Sequence, residues 1–400
     1  MTNTKTNTAL KLTALSLAVN ALLLPSAALQ AKEDKNKFYG DLRLRYESVS
    51  QNNPLPDADG LTLRTKLGFK TKSVEGFSAL IEVENNTALI DDYSVPPTGD
   101  RVGEFSVIAD PEGTEIDQAF IAYKGENVSA KLGRQVITLD GHRFVGHVGW
   151  RQDRQTFDAL TVAAEPMPGF KFNASYIDKR NRIFADERDI DSKDLILNTS
   201  YKLPAGKAVA YAYLLEVDNN TDNSLDTYGV SFKGKTKGEA ATFHYAAEIA
   251  QQEANDAFDT DYLLLEGGAT FSGITAKLGY ELLGSDDGQR GFATPLATLH
   301  KFNGWADSFL ATPAQGLEDV YLTFSGKAFG GKWVATYHDY SSDESLGGQS
   351  DLGDEVNLLF AKKFSDKFSG GVKFADYNAG DSVFSKVDTR KAWIWAGYKF

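Results

Sequence analysis

From Phe38 to the end of the chain, apolar and polar side chains alternate within successive segments of about ten residues. Leu42, Leu44 and Tyr46 alternate with Asp41, Arg43, Arg45 and Glu47. Leu61, Leu63, Leu67 and Phe69 alternate with Thr62, Arg64, Lys66 and Lys70, and Phe77, Ala79, Ile81 and Val83 with Ser78, Glu82 and Glu84. The pattern recurs where Phe243, Tyr245, Ala247 and Ile249 are set against His244 and Glu248, and where Val356, Leu358 and Phe360 are set against Asn357. A strand sends successive side chains to opposite faces, so period two over this length predicts strands, about 18 of them.

The connections alternate too. Short turns at 73–76, 125–127, 166–169, 204–207, 272–273 and 330–331 are interleaved with long ones at 87–114, 138–155, 181–193 and 285–317. A soluble sandwich has no reason to gather its long loops at one end, whereas a transmembrane barrel has tight turns on one side and long loops on the other. Counting back from Phe400 in twos gives Tyr398, Ala396, Ile394 and Ala392, an apolar face that ends on an aromatic residue. This looks like the terminal-strand signature of Gram-negative outer-membrane barrels, which makes Phe400 the expected contact for the barrel-assembly machinery.

In hydrocarbon every backbone N–H and C=O needs a partner within the protein, so a sheet can enter only if it closes. The expected fold is all-β: an antiparallel up-and-down transmembrane barrel of about 18 strands, with a water-filled lumen and its apolar half facing lipid. Tyr46, Phe69, Phe77, Tyr398 and Phe400 are expected at the two membrane interfaces, and the loop at 285–317 is a candidate to fold inward and narrow the lumen.

Composition removes competing classes. The 400 residues carry 42 Lys+Arg against 55 Asp+Glu, a formal charge of −13, with no cysteine. That excludes disulfide scaffolds, thiol catalysis and Cys-ligated metals, and the negative total argues against nucleic acid as a partner. At the start, Lys5 and Lys11 precede an apolar run over 12–24, broken by Pro25 and followed by Ser26, Ala27, Ala28 and Ala31. This reads as a secretory signal cleaved after Ala31. Residues 32–400 are then expected as a single barrel domain in the outer membrane, in contact with lipid and lipopolysaccharide. Closure requires no partner chain, so a monomer is expected.

The two signs of charge take different places. Acids crowd the long loops: Asp91, Asp92, Asp100, Glu104, Asp110 and Glu112, then Asp218, Asp222 and Asp226, then Asp343, Glu344 and Asp351. They are expected at the outer surface, where divalent cations bridge lipopolysaccharide phosphates. Basic residues take inward positions in the first strands, at Arg43, Arg45, Arg64, Lys66 and Lys70. A second cluster, Lys131, Arg134, Arg143, Arg151 and Arg154, surrounds the loop at 138–155. Guanidinium groups in a narrow lumen attract carboxylates through charge and bidentate hydrogen bonds. The competing arrangement pairs these arginines with Asp41, Glu47, Asp153 and Asp158 as wall ladders that select nothing. Arg134 is a special case. Alternation from Val128, Ala130 and Leu132 aims it at lipid, where a charge at mid-depth costs about 2–4 kcal/mol. A bulge at Gly133 is expected to rephase the strand, with an interfacial Arg134 as the alternative.

The stretch Gly133-Arg134-Gln135, Asp140, Arg143-Phe144, Gly146, Trp150-Arg151-Gln152 and Thr156-Phe157-Asp158-Ala159 resembles the alginate-export family of outer-membrane porins; the specific motif spans 132–160. The resemblance implies a single 18-stranded barrel and a channel for alginate, a chain of anionic uronates. It also makes Arg134, Arg143, Arg151 and Arg154 candidates for contacting anionic sugar. A nutrient-uptake porin of low selectivity is the alternative, on account of the mixed lumen residues Glu82, Glu84, His244 and Glu248. A barrel enzyme or adhesin is a third class. The chain has no G-x-S-x-G motif, and its five histidines (His142, His147, His244, His300 and His338) form no recognisable catalytic or metal spacing. Asp218-x-Asn220-x-Asp222 lacks the glycine and bidentate glutamate of a calcium loop. No catalytic residue, metal or cofactor is expected.

Overall fold

A computed structural model describes residues 35–400 apart from 96–100, 185–187, 222 and 256. The signal expected over residues 1–31 and the loop acids Asp100 and Asp222 lie outside the described residues. Eighteen antiparallel strands form one closed sheet. It starts with β1 (Lys37–Gln51), β2 (Ala58–Lys70), β3 (Phe77–Asp92), β4 (Gly113–Lys124), β5 (Val128–Gln135) and β6 (Thr156–Met167). Each strand pairs with the next in sequence, and the last, Thr389–Lys399, returns to β1 in a register running from Asp41↔Lys399 to Gln51↔Thr389. That seam leaves no open edge, which is the condition for a sheet to sit in lipid.

Exposure along the strands is the inverse of a soluble protein's. Leu358 is 46% exposed while its neighbour Asn357 is fully buried. Ile81, Ile121, Ile249, Leu278 and Ile394 face outward, and Arg45, Glu47, Arg64, Lys66, Glu82 and Glu84 are buried inside. Apolar side chains therefore meet lipid and polar ones enclose the lumen, as the alternation predicts.

Turns at one end are short, at 71–76, 125–127, 168–169, 204–205, 272–273 and 329–330. The long connections at 93–112, 136–155 and 284–316 leave the other end. Loop 284–316 folds into the lumen as expected, and loop 136–155 joins it there. Gly146 N donates to Leu296 O at 2.8 Å and Thr298 N to His142 O at 3.0 Å. Aromatic side chains of the wall grip both loops. Phe144 packs against Tyr262 and Phe292 with ring centroids 5.2 and 5.9 Å apart, and Phe309 against Tyr340 at 4.6 Å. Such pairs contribute about 0.5–1.5 kcal/mol each beyond the area they bury.

Candidate functional site

The site grows from the inward face of β1. Arg43 Nε donates to Gln152 Oε1 at 2.8 Å and its Nη1 to Gly149 O at 3.0 Å, while Nη2 meets Arg151 O. Arg45 donates to Trp150 O and to the Asp110 carboxylate. Gln152 N donates to Asp110 Oδ1 at 2.8 Å. Two adjacent inward arginines thus hold loop 136–155 by its backbone. Asp110 is fully buried, contrary to its expected place at the outer surface. The reason is Arg45, whose charge is buried too and needs an ionic partner.

Loop 136–155 in turn holds loop 284–316. Arg151 Nη1 lies 3.1 Å from Glu47 Oε2 on β1, and its Nη2 lies 2.8 Å from Asp307 Oδ2. Asp307 also accepts from Lys391 at 2.8 Å and from His300 Nδ1 at 2.6 Å. On the far side of that imidazole, Lys373 Nζ donates to Nε2 at 2.6 Å. The Lys373 ammonium sits among three indole rings, 3.9 Å from the centroid of Trp305, 4.3 Å from Trp150 and 5.2 Å from Trp393. Burial works against the Asp307 carboxylate, but His300, Lys391 and Arg151 outweigh it and hold the group well below the usual carboxylate range. Burial, reinforced by Lys373 and Arg151 against the pull of Asp307, holds His300 down to about 3.

The joined loops divide the inner space. On the β1–β3 side a cavity of about 710 Å³ forms a basic vestibule, lined by Lys37, Arg43, Arg64, Lys66, Arg154, Lys367 and Lys399 against Asp41, Glu82 and Asp366. Several of these charges are paired. Arg64 meets Asp41 at 2.8 Å, Lys66 meets Asp117 at 2.9 Å, and Arg154 meets Asp117 at 2.7 Å and Glu82 at 2.6 Å. Arg43 differs, since its three acceptors are all neutral. A second chamber of about 430 Å³ lies across the loops, with Arg143, Glu248, Glu266, Glu281 and Asp319 in its lining.

Residues 12–309 match the sequence pattern of the family described as Gram-negative porin. The chain belongs to that family. It is therefore an outer-membrane channel protein of the porin type, and this match is broader than the alginate-export resemblance over 132–160. Comparison with curated proteins finds no match. Among solved structures, the porin resembles OccAB4 of Acinetobacter baumannii at 13% identity and a TM-score of 0.74, over 92% of this chain and 99% of that one. It resembles OccAB3 of the same organism at 14% identity and a TM-score of 0.72, over 91% and 99%. Pseudomonas aeruginosa OpdK, solved with vanillate, is similar at 13% identity and a TM-score of 0.71, over 91% and 98%. These likenesses concern the fold.

The porin distributes the nine basic candidates unevenly. Arg43, Arg64, Lys66 and Arg154 line the vestibule, and Arg143 lines the second chamber, paired with Glu281 at 2.6 Å. Arg45 and Arg151 line neither space and serve the loop junction. Lys131 points inward, 5.0 Å from the Phe120 ring. Arg134 is a correction. The pairings of β5 with β4 and β6 run unbroken through Gly133, so no bulge rephases the strand. Arg134 keeps the outer face of Leu132 and pairs with Asp158, Nε to Oδ1 at 2.9 Å. Asp158 neutralises the charge there, so the strand needs no rephasing. Gly133 has φ +121°, and a Cβ would lie 2.3 Å from Ala119 O; close approach of β4, not a bulge, requires glycine.

Sequence reasoning named His300 only among histidines without catalytic or metal spacing, and passed over Asp307, Lys373 and Lys391. Lys391 was within reach: the count that puts Ala392 and Ile394 outside puts Lys391 and Trp393 inside, and both are buried.

Proposed function

We propose that this porin conducts small anionic solutes and that the basic vestibule selects them. The observation that carries the reading is Arg43, a lumen guanidinium that meets only neutral acceptors in a cavity with seven basic and three acidic lining residues. Inside low-dielectric walls an excess of one sign raises the local concentration of the opposite ion. A carboxylate entering there would meet the uncompensated charge of Arg43, whose Nη1 and Nη2 each carry a second N–H beyond the one given to the loop, with Arg64 and Lys66 lining the same space. The vanillate bound to OpdK is likewise a carboxylate, on a barrel of similar fold.

A polymer such as alginate needs a continuous bore, and the Arg151–Asp307 junction stands across it. A single uronate or a small carboxylate offers the same charge without threading, so monomer-sized anions are the better fit.

The test is the zero-current potential of the reconstituted channel in a salt gradient. The reading expects chloride preference in the wild type and a weaker preference in Arg43→Gln. Equal permeation by both ions would favour a nutrient-uptake porin of low selectivity instead.

A further inference from the structure

The second chamber differs chemically from the vestibule. Strand wall from 206 to 346 bounds it on one side, and residues 301–305 of the long loop bound it on the other. Most of its carboxylates already hold a basic partner. Glu281 pairs with Arg143 at 2.6 Å, Glu266 with Lys277 at 2.7 Å, Asp140 with Lys207 at 2.6 Å and Asp319 with His338 at 2.9 Å.

Glu248 does not. Its Oε1 accepts from the Tyr211 hydroxyl at 2.8 Å, and among the described residues no Lys, Arg or His lies within ion-pair distance of it. Two cations of the same chamber are unpaired in the complementary sense. The Lys301 ammonium donates to the backbone carbonyl of Gly141 at 2.6 Å and lies 5.3 Å from the centroid of the Phe302 ring, and among the described residues neither it nor Lys233 has a carboxylate partner. Glu248 stands opposite Ser231 in the sheet, and Lys233 is the next inward residue on that neighbouring strand. Such diagonal neighbours are about 7–8 Å apart along the wall, within reach of long side chains, yet among the described residues no ion pair joins these two. One free acid and two free bases therefore face the same open volume. The lining of that volume also includes the apolar side chains of Leu264, Phe302 and Trp305.

We propose that this chamber is a second solute site, for zwitterions whose ammonium meets Glu248 and whose carboxylate meets Lys233 and Lys301. A small aliphatic amino acid carries both groups and is small enough for a chamber of about 430 Å³. An anion alone would face Glu248 unfavourably, and a cation alone would face the two lysines. The inference goes beyond the anion reading and rests on different residues, so the two can fail separately.

Single-channel recording of the full-length protein in planar bilayers tests it, with 4-aminobutyrate, butyrate and butylammonium as probes. In the wild type, 4-aminobutyrate interrupts the current at concentrations where butylammonium does not. Glu248→Gln, which keeps an acceptor for Tyr211, shortens those interruptions by about tenfold, the effect of losing one charged hydrogen bond. Glu248→Asp, which keeps the charge, retains most of the dwell time. Butyrate interruptions respond to Arg43→Gln and not to Glu248→Gln. The proposal is overturned if Glu248→Gln leaves 4-aminobutyrate dwell times unchanged, if butylammonium blocks as long as 4-aminobutyrate, or if wild-type channels show no 4-aminobutyrate events.

Discussion

Arg151 and Asp307 are 156 positions apart, yet Nη2 of one lies 2.8 Å from Oδ2 of the other, in the middle of the barrel. Both side chains are buried, and each is also tied to the wall, Arg151 to Glu47 and Asp307 to Lys391. The contact therefore locks two inward-folded loops to each other and to opposite strands of the closing seam. It makes the constriction a built feature, since the two loops complete one buried ionic chain from Glu47 through Arg151 and Asp307 to Lys391.

Removing one member of that junction should open it. Asp307→Asn leaves Arg151 and Lys391 facing each other without their shared anion. Breaking one side of a buried pair costs about 3–5 kcal/mol, which shifts the open-to-closed ratio by at least about a hundredfold. Single-channel conductance of Asp307→Asn is expected to exceed the wild type's; an unchanged conductance would show that the loops do not limit the current.

Acid should act in the same direction. His300 is held down to about 3 with the loops joined, and a released histidine titrates near 6.5. The joined form keeps its full advantage above about pH 6.5 and loses it as pH falls toward 3, by at most about tenfold per pH unit. His147 in the partner loop, pushed down to about 4 by burial and then by His142, adds with the same sign. Conductance measured from pH 7.5 to 5 is expected to rise, and the double variant His300→Gln/His147→Gln to flatten that rise.

Arg134 should matter to stability and not to selectivity. It pairs with Asp158 on the outer face in a partly exposed position, so Arg134→Ala is expected to cost about 1 kcal/mol in urea unfolding. The zero-current potential should not move.

Gly133→Ala should disturb the wall itself. The new methyl would lie 2.3 Å from Ala119 O at a backbone with φ +121°. Strain of this kind costs about 1–3 kcal/mol, more if β4 must shift. A lower temperature of heat-induced unfolding on gels is the expected readout.

The wall was legible because period two needs only local pattern, and the buried Asn357 beside the exposed Leu358 is that pattern realised. The loop junction was not, because nothing near Arg151 encodes a partner at 307. Reading every loop acid as solvated misplaces Asp110, which Arg45 draws inside. Reading Gly133 as a bulge misplaces Arg134, although the same alternation that puts Leu160 outside already offers Asp158 beside it. Arg43 was legible as an inward base, but its lack of an acidic partner emerges only once Gln152, Gly149 and Arg151 are folded against it.

Liposome swelling with three sugars of nearly equal size tests the central claim most directly: galacturonate, galactose and galactosamine as anion, neutral and cation. A basic vestibule behind a closed loop junction predicts that galacturonate enters fastest and galactosamine slowest, with the order compressed in Arg43→Gln. Equal rates for all three, or galactosamine entering first, would contradict it.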